Sequence, residues 1–324
     1  MPGGLTRVGQ FEDSFVISNQ VGALSKDTWI LASEPELQLS AIDNEDSANR
    51  AADLISLPSR VIENLFWMGR YAERAEASLR ILRTVFVLLN SEEPLSDSCK
   101  PYLFEAVTAV TGTAPGFENA SEQLLANPEP ELVDLVNNPL RTGSVRNNLE
   151  AMVNCADQSK ELLSSDMLRQ INDVRDALST LDSTLGIDLT SAPEEALDPL
   201  VTSLVAIAGL IQESMLRGNG WRFIQLGRKL ERALQTSALI KTLVVPEVPE
   251  MDQKVLIEAM LLSSEGLISH RRRYRGKIGV QSSLDLVMMD PTNPRSLIYQ
   301  LEDLNTLIES IPCLLYTSPS PRDA

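Results

Sequence analysis

Histidine, cysteine and aromatic residues are scarce in this chain. Its 324 residues include one histidine, His270, and three cysteines, Cys99, Cys155 and Cys313. A multi-histidine metal centre is excluded, and three scattered thiols build neither a zinc site nor a disulfide framework. Aromatics make up only 5% of the residues, which argues against an aromatic-rich sheet protein. No uninterrupted apolar run reaches the ~18 residues that a membrane span needs. The opening "MPGGLTRVGQFEDSF" lacks the basic and apolar regions of a signal peptide. Positive charge is also in deficit: 28 Lys and Arg stand against 45 Asp and Glu, for a net charge of −17. Phosphate-backbone binding requires the opposite balance. The expectation is a cytoplasmic protein with no nucleic-acid or membrane partner and no metal site. Carboxylates and arginines are left to carry its function.

What is present is helical periodicity. Apolar or small residues at Val61, Leu65, Met68, Ala72, Ala75, Leu79, Leu82, Phe86 and Leu89 alternate spacings of four and three. That heptad stripe predicts a long helix starting at Pro58-Ser59, with Ser59 as its N-cap and Glu63 in its first turn. Val85–Leu89 is wholly apolar and predicts entry into the middle of a bundle. Further helices are predicted at about 101–111, 143–163, 165–185, 193–217, 221–245, 252–273 and 294–311. Asn293 is placed at the last N-cap and Pro294 at the first helical position. No strand-like alternation follows residue 58. The fold class is all-α, a multi-helix bundle.

Within the first helix, "FWMGRYAERAEA" places charge beside the apolar stripe, and "FIQLGRKLERAL" repeats the arrangement 158 residues later. Gly69, Arg70, Glu73, Arg74 and Ala75 match Gly227, Arg228, Glu231, Arg232 and Ala233. Phe223, Leu226, Leu230, Ala233, Ser237, Ile240 and Val244 match the stripe from Leu65 to Phe86. Small residues at 69, 72 and 75 would admit a second helix at close range. Two readings stand open. The charges are either ion pairs along one solvated helix face, worth a few tenths of a kcal/mol each, or an internal network made by pseudo-symmetric halves. In an internal network Glu73 and Glu231 are candidate catalytic acids or bases. Arg70, Arg74, Arg228 and Arg232 are then candidates for holding carboxylate or phosphate. "SHRRRYRGK" adds a basic patch: Arg271, Arg272, Arg273 and Arg275 either complement a helix C-terminus or form an anion site. His270 is expected to be a solvated or hydrogen-bonded neighbour.

The chain ends differ from this body. Residues 34–57 are acidic and polar, a linker by composition. After Pro312 the tail "CLLYTSPSPRDA" is Ser/Pro-rich and aperiodic, and it matches a translated frame of a sequencing-library adapter; residues 313–324 are set aside as an artefact. The β-like runs "SFVIS" and "DTWILAS" are too few to bury a face alone, so residues 1–33 read as the remnant of a larger sheet domain.

Two resemblances sharpen these readings. "LPSRVIENLFWMGRYAERAEASLRILRTV", "GWRFIQLGRKLERAL", "HRRRYR" and "DPTNPRSLIYQLEDL" resemble the bacterial alpha-E domain, a helical family named for its Glu-Arg motif, across 58–312. The segment "NCADQSKELLS" departs from it, with Asp157 or a neighbour standing where a basic group is expected. "PGGLTRV" followed by "SNQVGALSKDTWILAS" looks like the C-terminal end of a circularly permuted ATP-grasp domain. Together they imply an accessory, substrate- or partner-binding domain of a carboxylate–amine (peptide) ligase system. Its ATP and magnesium would belong to an ATP-grasp core in cis or trans, with no cofactor in this segment. Partners would be that core, transglutaminase-like proteins, and a peptide or small carboxylate or amine ligand. A helical enzyme using Glu73 or Glu231, and a purely structural scaffold, remain the alternatives.

Overall fold

The computed structural model describes residues 3–8, 24–29, 57–185 and 193–311, with side chains over 57–181 and 196–311. The chain divides into two compact units, Met1–Ile55 and Ser56–Ala324. In the first, β1 (Gly3–Val8) and β2 (Leu24–Trp29) pair antiparallel, with Gly3 opposite Trp29 and Val8 opposite Leu24. The expected strand at 14–18, residues 34–56 of the expected 34–57 linker and the tail at 313–324 lie outside the described residues.

The second unit is a helical bundle built on α1 (Ser59–Leu89). Eight of the nine predicted stripe positions are buried, from Val61 to Phe86. Two local expectations fail. Pro58, in extended conformation, occupies the N-cap and its carbonyl accepts the first helical N–H groups. Ser59 is already helical, so its hydroxyl caps nothing and Glu63 falls beyond the first turn. At the other end Val85 and Phe86 are buried in the core and Leu88 and Leu89 pack against it, as the apolar run predicts, whereas Val87 is 40% exposed.

Around α1 pack α2 (Lys100–Thr111), α5 (Val145–Asp157), α7 (Pro193–Ser214), α8 (Asn219–Leu243) and α9 (Glu250–Ser263). The short α3 (Glu122–Ala126) and α4 (Glu129–Asn137) fill a region that the prolines mark as loop. Pro130 there lies in the first turn of α4, where a missing N–H costs no hydrogen bond. α6 (Ser165–Leu185) packs on α7. α7 is apolar enough over Ala196–Ser214 to cross a membrane by length and composition. Its buried positions Leu197, Leu200, Val201, Leu204, Ile207 and Ile211 nevertheless keep the helical period of one core-facing stripe.

The predicted helix at 252–273 is two helices. α9 stops at Ser263, and α10 runs Leu267–Tyr274. Between them Glu265 adopts φ 57° and the Gly266 N–H donates to the Leu261 carbonyl, which terminates the helix. α11 (Val280–Leu284) and a π-turn (Asp285–Met289) lead to α12 (Leu297–Glu309). Ser296, not Asn293, caps α12, its hydroxyl accepting from the Tyr299 N–H. Asn293 instead accepts from the Arg295 N–H two residues on, a local turn that competes with helix entry.

Candidate functional site

α1 and α8 meet backbone to backbone, and glycine is why. A Cβ at Gly69 would run into the Ile224 carbonyl oxygen, and one at Gly227 into that of Phe66. These contacts are reciprocal, because Ile224 and Gly227 follow Phe66 and Gly69 by the same 158 residues. The repeated element therefore crosses itself about a local pseudo-twofold axis.

That crossing decides the pairing of the charged residues. Glu231 of α8 accepts from Arg70 Nε and, in a fork, from Arg74 Nε at 2.7 Å and Nη2 at 3.0 Å, both on α1. Gln235 Nε2 adds a fourth bond at 3.0 Å. Reciprocally, Glu73 of α1 accepts a fork from Arg232 of α8, with Nη2 at 2.8 Å, and Arg228 Nη2 stands at 3.5 Å. Both glutamates are buried, at 3% and 2% exposure. The pairs are thus neither solvated nor intrahelical, and the internal-network reading holds. Arg70 also lies over the Phe66 and Trp67 rings, so its apolar faces are covered as well.

The two helices do not bury equivalent faces. Of the matched stripe on α8, Leu226, Ala233 and Val244 are buried, whereas Phe223, Leu230 and Ile240 are half-buried and Ser237 is exposed; Ile224, Gln225, Gly227, Glu231, Gln235, Thr236 and Leu239 are buried beside them. α1 is surrounded by helices and buries more of its circumference; α8 has open sides, so a stripe matched in sequence is not matched in packing.

Sequence reasoning missed a third carboxylate. Glu76, 3% exposed, accepts from Arg80 Nε at 2.9 Å and from Arg295 Nη2 at 2.7 Å. Arg80 also donates to Glu265, which the helix break has delivered to it. Two signals were available. Glu76 corresponds to the exposed Leu234, so it breaks the repeat, and Arg80 follows it by one helical turn. In all, three buried glutamates face six guanidiniums (Arg70, Arg74, Arg80, Arg228, Arg232 and Arg295).

The electrostatics follow from this excess. Burial by itself raises a carboxyl pKa, but Arg74 and Arg70 outweigh it and hold Glu231 below the ordinary value. At Glu76 burial is likewise overcome, by Arg295, Arg80 and Arg232, and the pKa drops to about 2.

The basic patch stays apart from this network. Arg271, Arg272, Arg273 and Arg275 are exposed at the C-terminal end of α10 and line no part of the cavity described below. Arg271 donates to Glu258 at 2.6 Å, Arg273 pairs with Asp290, and Arg275 is the left-handed C-cap. His270 is buried rather than solvated, bonded to Ser282 Oγ at 2.9 Å, and burial lowers its pKa. Asp157 pairs with Arg175 at 3.0 Å and Lys160 at 3.1 Å near the surface. Among the described residues no group of three or more His, Cys, Asp or Glu side chains converges as a metal site.

A cavity of about 590 Å³ opens on the Glu73 side of the crossing, between α7, α8 and α12. Arg228 and Arg232, the partners of Glu73, form part of its wall.

Comparison with known proteins places this geometry in a family. The Alpha-E model, "a predicted alpha-helical domain with a conserved ER motif", matches residues 57–322. Glu-Arg occurs in this chain at 73–74 and 231–232. The uncharacterized protein Rv2567 of Mycobacterium tuberculosis is 32% identical over 272 residues, covering 78% of this chain and 30% of the relative. Uncharacterized protein Mb2597 of Mycobacterium bovis gives the same figures. The chain therefore spans about 30% of the length of these curated relatives. No solved structure matches it.

Proposed function

The chain belongs to the Alpha-E family, and we propose that its bundle is an accessory substrate- or partner-binding domain of an ATP-dependent carboxylate–amine ligase system. The observation that carries this reading is the complete engagement of Glu73 and Glu231. A general base needs a lone pair within reach of its substrate and a pKa near the working pH. Glu231 spends its oxygens on four donors and is shifted away from neutrality. Glu73 is gripped by the Arg232 fork. Binding is therefore favoured over an acid/base step in the bundle itself. The crossed pairs set how α1 meets α8, and the guanidiniums beyond those neutralised by carboxylate are free to serve recognition.

The ligase association rests on the resemblance of the N-terminal phrases to the end of a permuted ATP-grasp domain. In longer relatives the additional chain has room for such a core. On this reading the ATP and magnesium would be held by that core. Reconstitution tests the proposal. The chain is mixed with the ATP-grasp protein of the same organism, and ADP release is followed with amine and carboxylate substrates. A rise in turnover on adding the bundle is expected. Unchanged turnover together with no co-elution of the two proteins would overturn the association.

A further inference from the structure

The cavity beside the crossing has a composition at odds with the rest of the chain. Five cationic side chains, Arg217, Arg222, Arg228, Lys229 and Arg232, contribute to its wall, and Asp303 is the one acidic residue among the lining positions. This occurs in a protein of net charge −17. Self-neutralisation accounts for only part of the excess. Lys229 pairs with Asp303 at 2.5 Å, and Arg232 is committed to Glu73. Arg228 has only the loose 3.5 Å contact to Glu73. Among the described residues neither Arg217 nor Arg222 has a carboxylate within ion-pair reach. Arg217 donates to the Gln212 carbonyl and stacks 4.4 Å over Trp221, and Arg222 donates to Asn219 Oδ1 at 2.9 Å.

The remaining polar groups also point to an acceptor-rich occupant. The Trp221 indole lines the cavity under the Arg217 guanidinium. Among the described residues the Gln225 side chain, 3% exposed, is bonded to Gln212 alone, at 3.4 Å. Burial, with Arg232 and Arg228 adding repulsion, lowers the Lys229 pKa in spite of Asp303. A cluster of donors that mutually repel when empty is stabilised by an anion with several oxygens. Its volume lies within the range of small-molecule sites, roughly 300–1,000 Å³. Tyr299 and Leu307 supply an apolar wall.

We propose that the α7–α8–α12 cavity binds a small ligand bearing two or more oxyanion groups, carboxylate or phosphate, with Arg217, Arg222 and Arg228 as its principal contacts. The site stands on the cavity's own chemistry and would bind the same ligands whether or not the bundle serves a ligase. Calorimetric titration of the full chain at fixed ionic strength tests it, using citrate as the polycarboxylate probe and pyrophosphate as the phosphate probe. Saturable one-to-one binding of at least one is expected. The probe that binds more tightly identifies the anion class. Arg217→Ala and Arg222→Ala lie at the cavity wall and remove no member of the crossed ion pairs, and each should weaken binding about tenfold, as expected for one lost charged hydrogen bond. Arg271→Ala and Arg275→Ala, on the exposed patch, should leave it unchanged. Circular dichroism confirms that each variant is folded. No saturable binding of either probe, or binding insensitive to the cavity variants, would overturn the assignment.

Discussion

Glu231→Gln is nearly isosteric and separates a structural network from a wet surface. The amide keeps one acceptor oxygen and turns an NH2 group toward Arg70, Arg74 or Gln235, all of them donors in the native arrangement. Two guanidiniums at 15% and 23% exposure then lose their carboxylate partner. Breaking a buried ion pair by removing one member costs ~3–5 kcal/mol, while a solvated pair is worth ~0–1 kcal/mol. Since ~1 kcal/mol moves the midpoint of a domain of this size by ~2–4 °C, a fall in Tm of roughly 6–20 °C is expected. Thermal and urea unfolding followed by circular dichroism at 222 nm measure it, with the urea slope showing whether the folded state stays compact. Glu73→Gln should behave alike, because its fork from Arg232 is the mirror of the first. A fall of less than ~2 °C in both variants, below the cost of one broken buried pair, would refute the inference that the crossed pairs hold α1 to α8.

Two further outcomes follow from the same packing. Glu76 titrates near 4.5 when unfolded and at about 2 in the fold, so its pairing contributes roughly 3 kcal/mol above pH 4.5, lost progressively as the pH falls toward 2. Urea midpoints of wild type and Glu76→Gln should therefore converge across that window, and a difference that does not change with pH would contradict the assignment. Gly69→Ala and Gly227→Ala force a methyl against the facing backbone and should cost ~1–3 kcal/mol or more; Gly209→Ala on α7, which meets nothing within 4 Å, should instead stabilise by ~0.5–1 kcal/mol. Equal effects at the three glycines in chemical denaturation would rule out the close helix approach.

Much of this architecture can be read along the chain because helices are local. The stripe from Val61 to Phe86 is a periodicity of one segment, and its burial follows from the need to cover one apolar face. Short elements were less legible. α3 and α4 sit among prolines that resemble loop punctuation, and the break after α9 depends on one residue, Glu265, in a left-handed conformation that Gly266 alone does not announce. The repeat itself is visible as five matched residues. Its burial on α8 is not, because Ser237, Leu230 and Ile240 gain or lose cover according to which neighbours arrive.

The candidate site divides along the same line. Residue type and spacing single out Glu73, Arg74, Glu231 and Arg232, since a helix places 70, 73 and 74 together whatever surrounds it. They leave undecided whether each glutamate takes an arginine from its own helix or from the other. The answer depends on the distance between two backbones 158 residues apart, which the mutual contact of Gly69 and Gly227 sets. Glu76 with Arg295, and the cationic cavity closed by α12, likewise unite segments with no periodic relation in the chain. By itself the sequence determined an all-α body, its duplicated element and the chemistry that element carries. Only the tertiary structure decided the crossed pairing, the excess of guanidinium over carboxylate and the place where that excess lines a cavity, because buried charge is balanced by neighbours in space and not by neighbours in sequence.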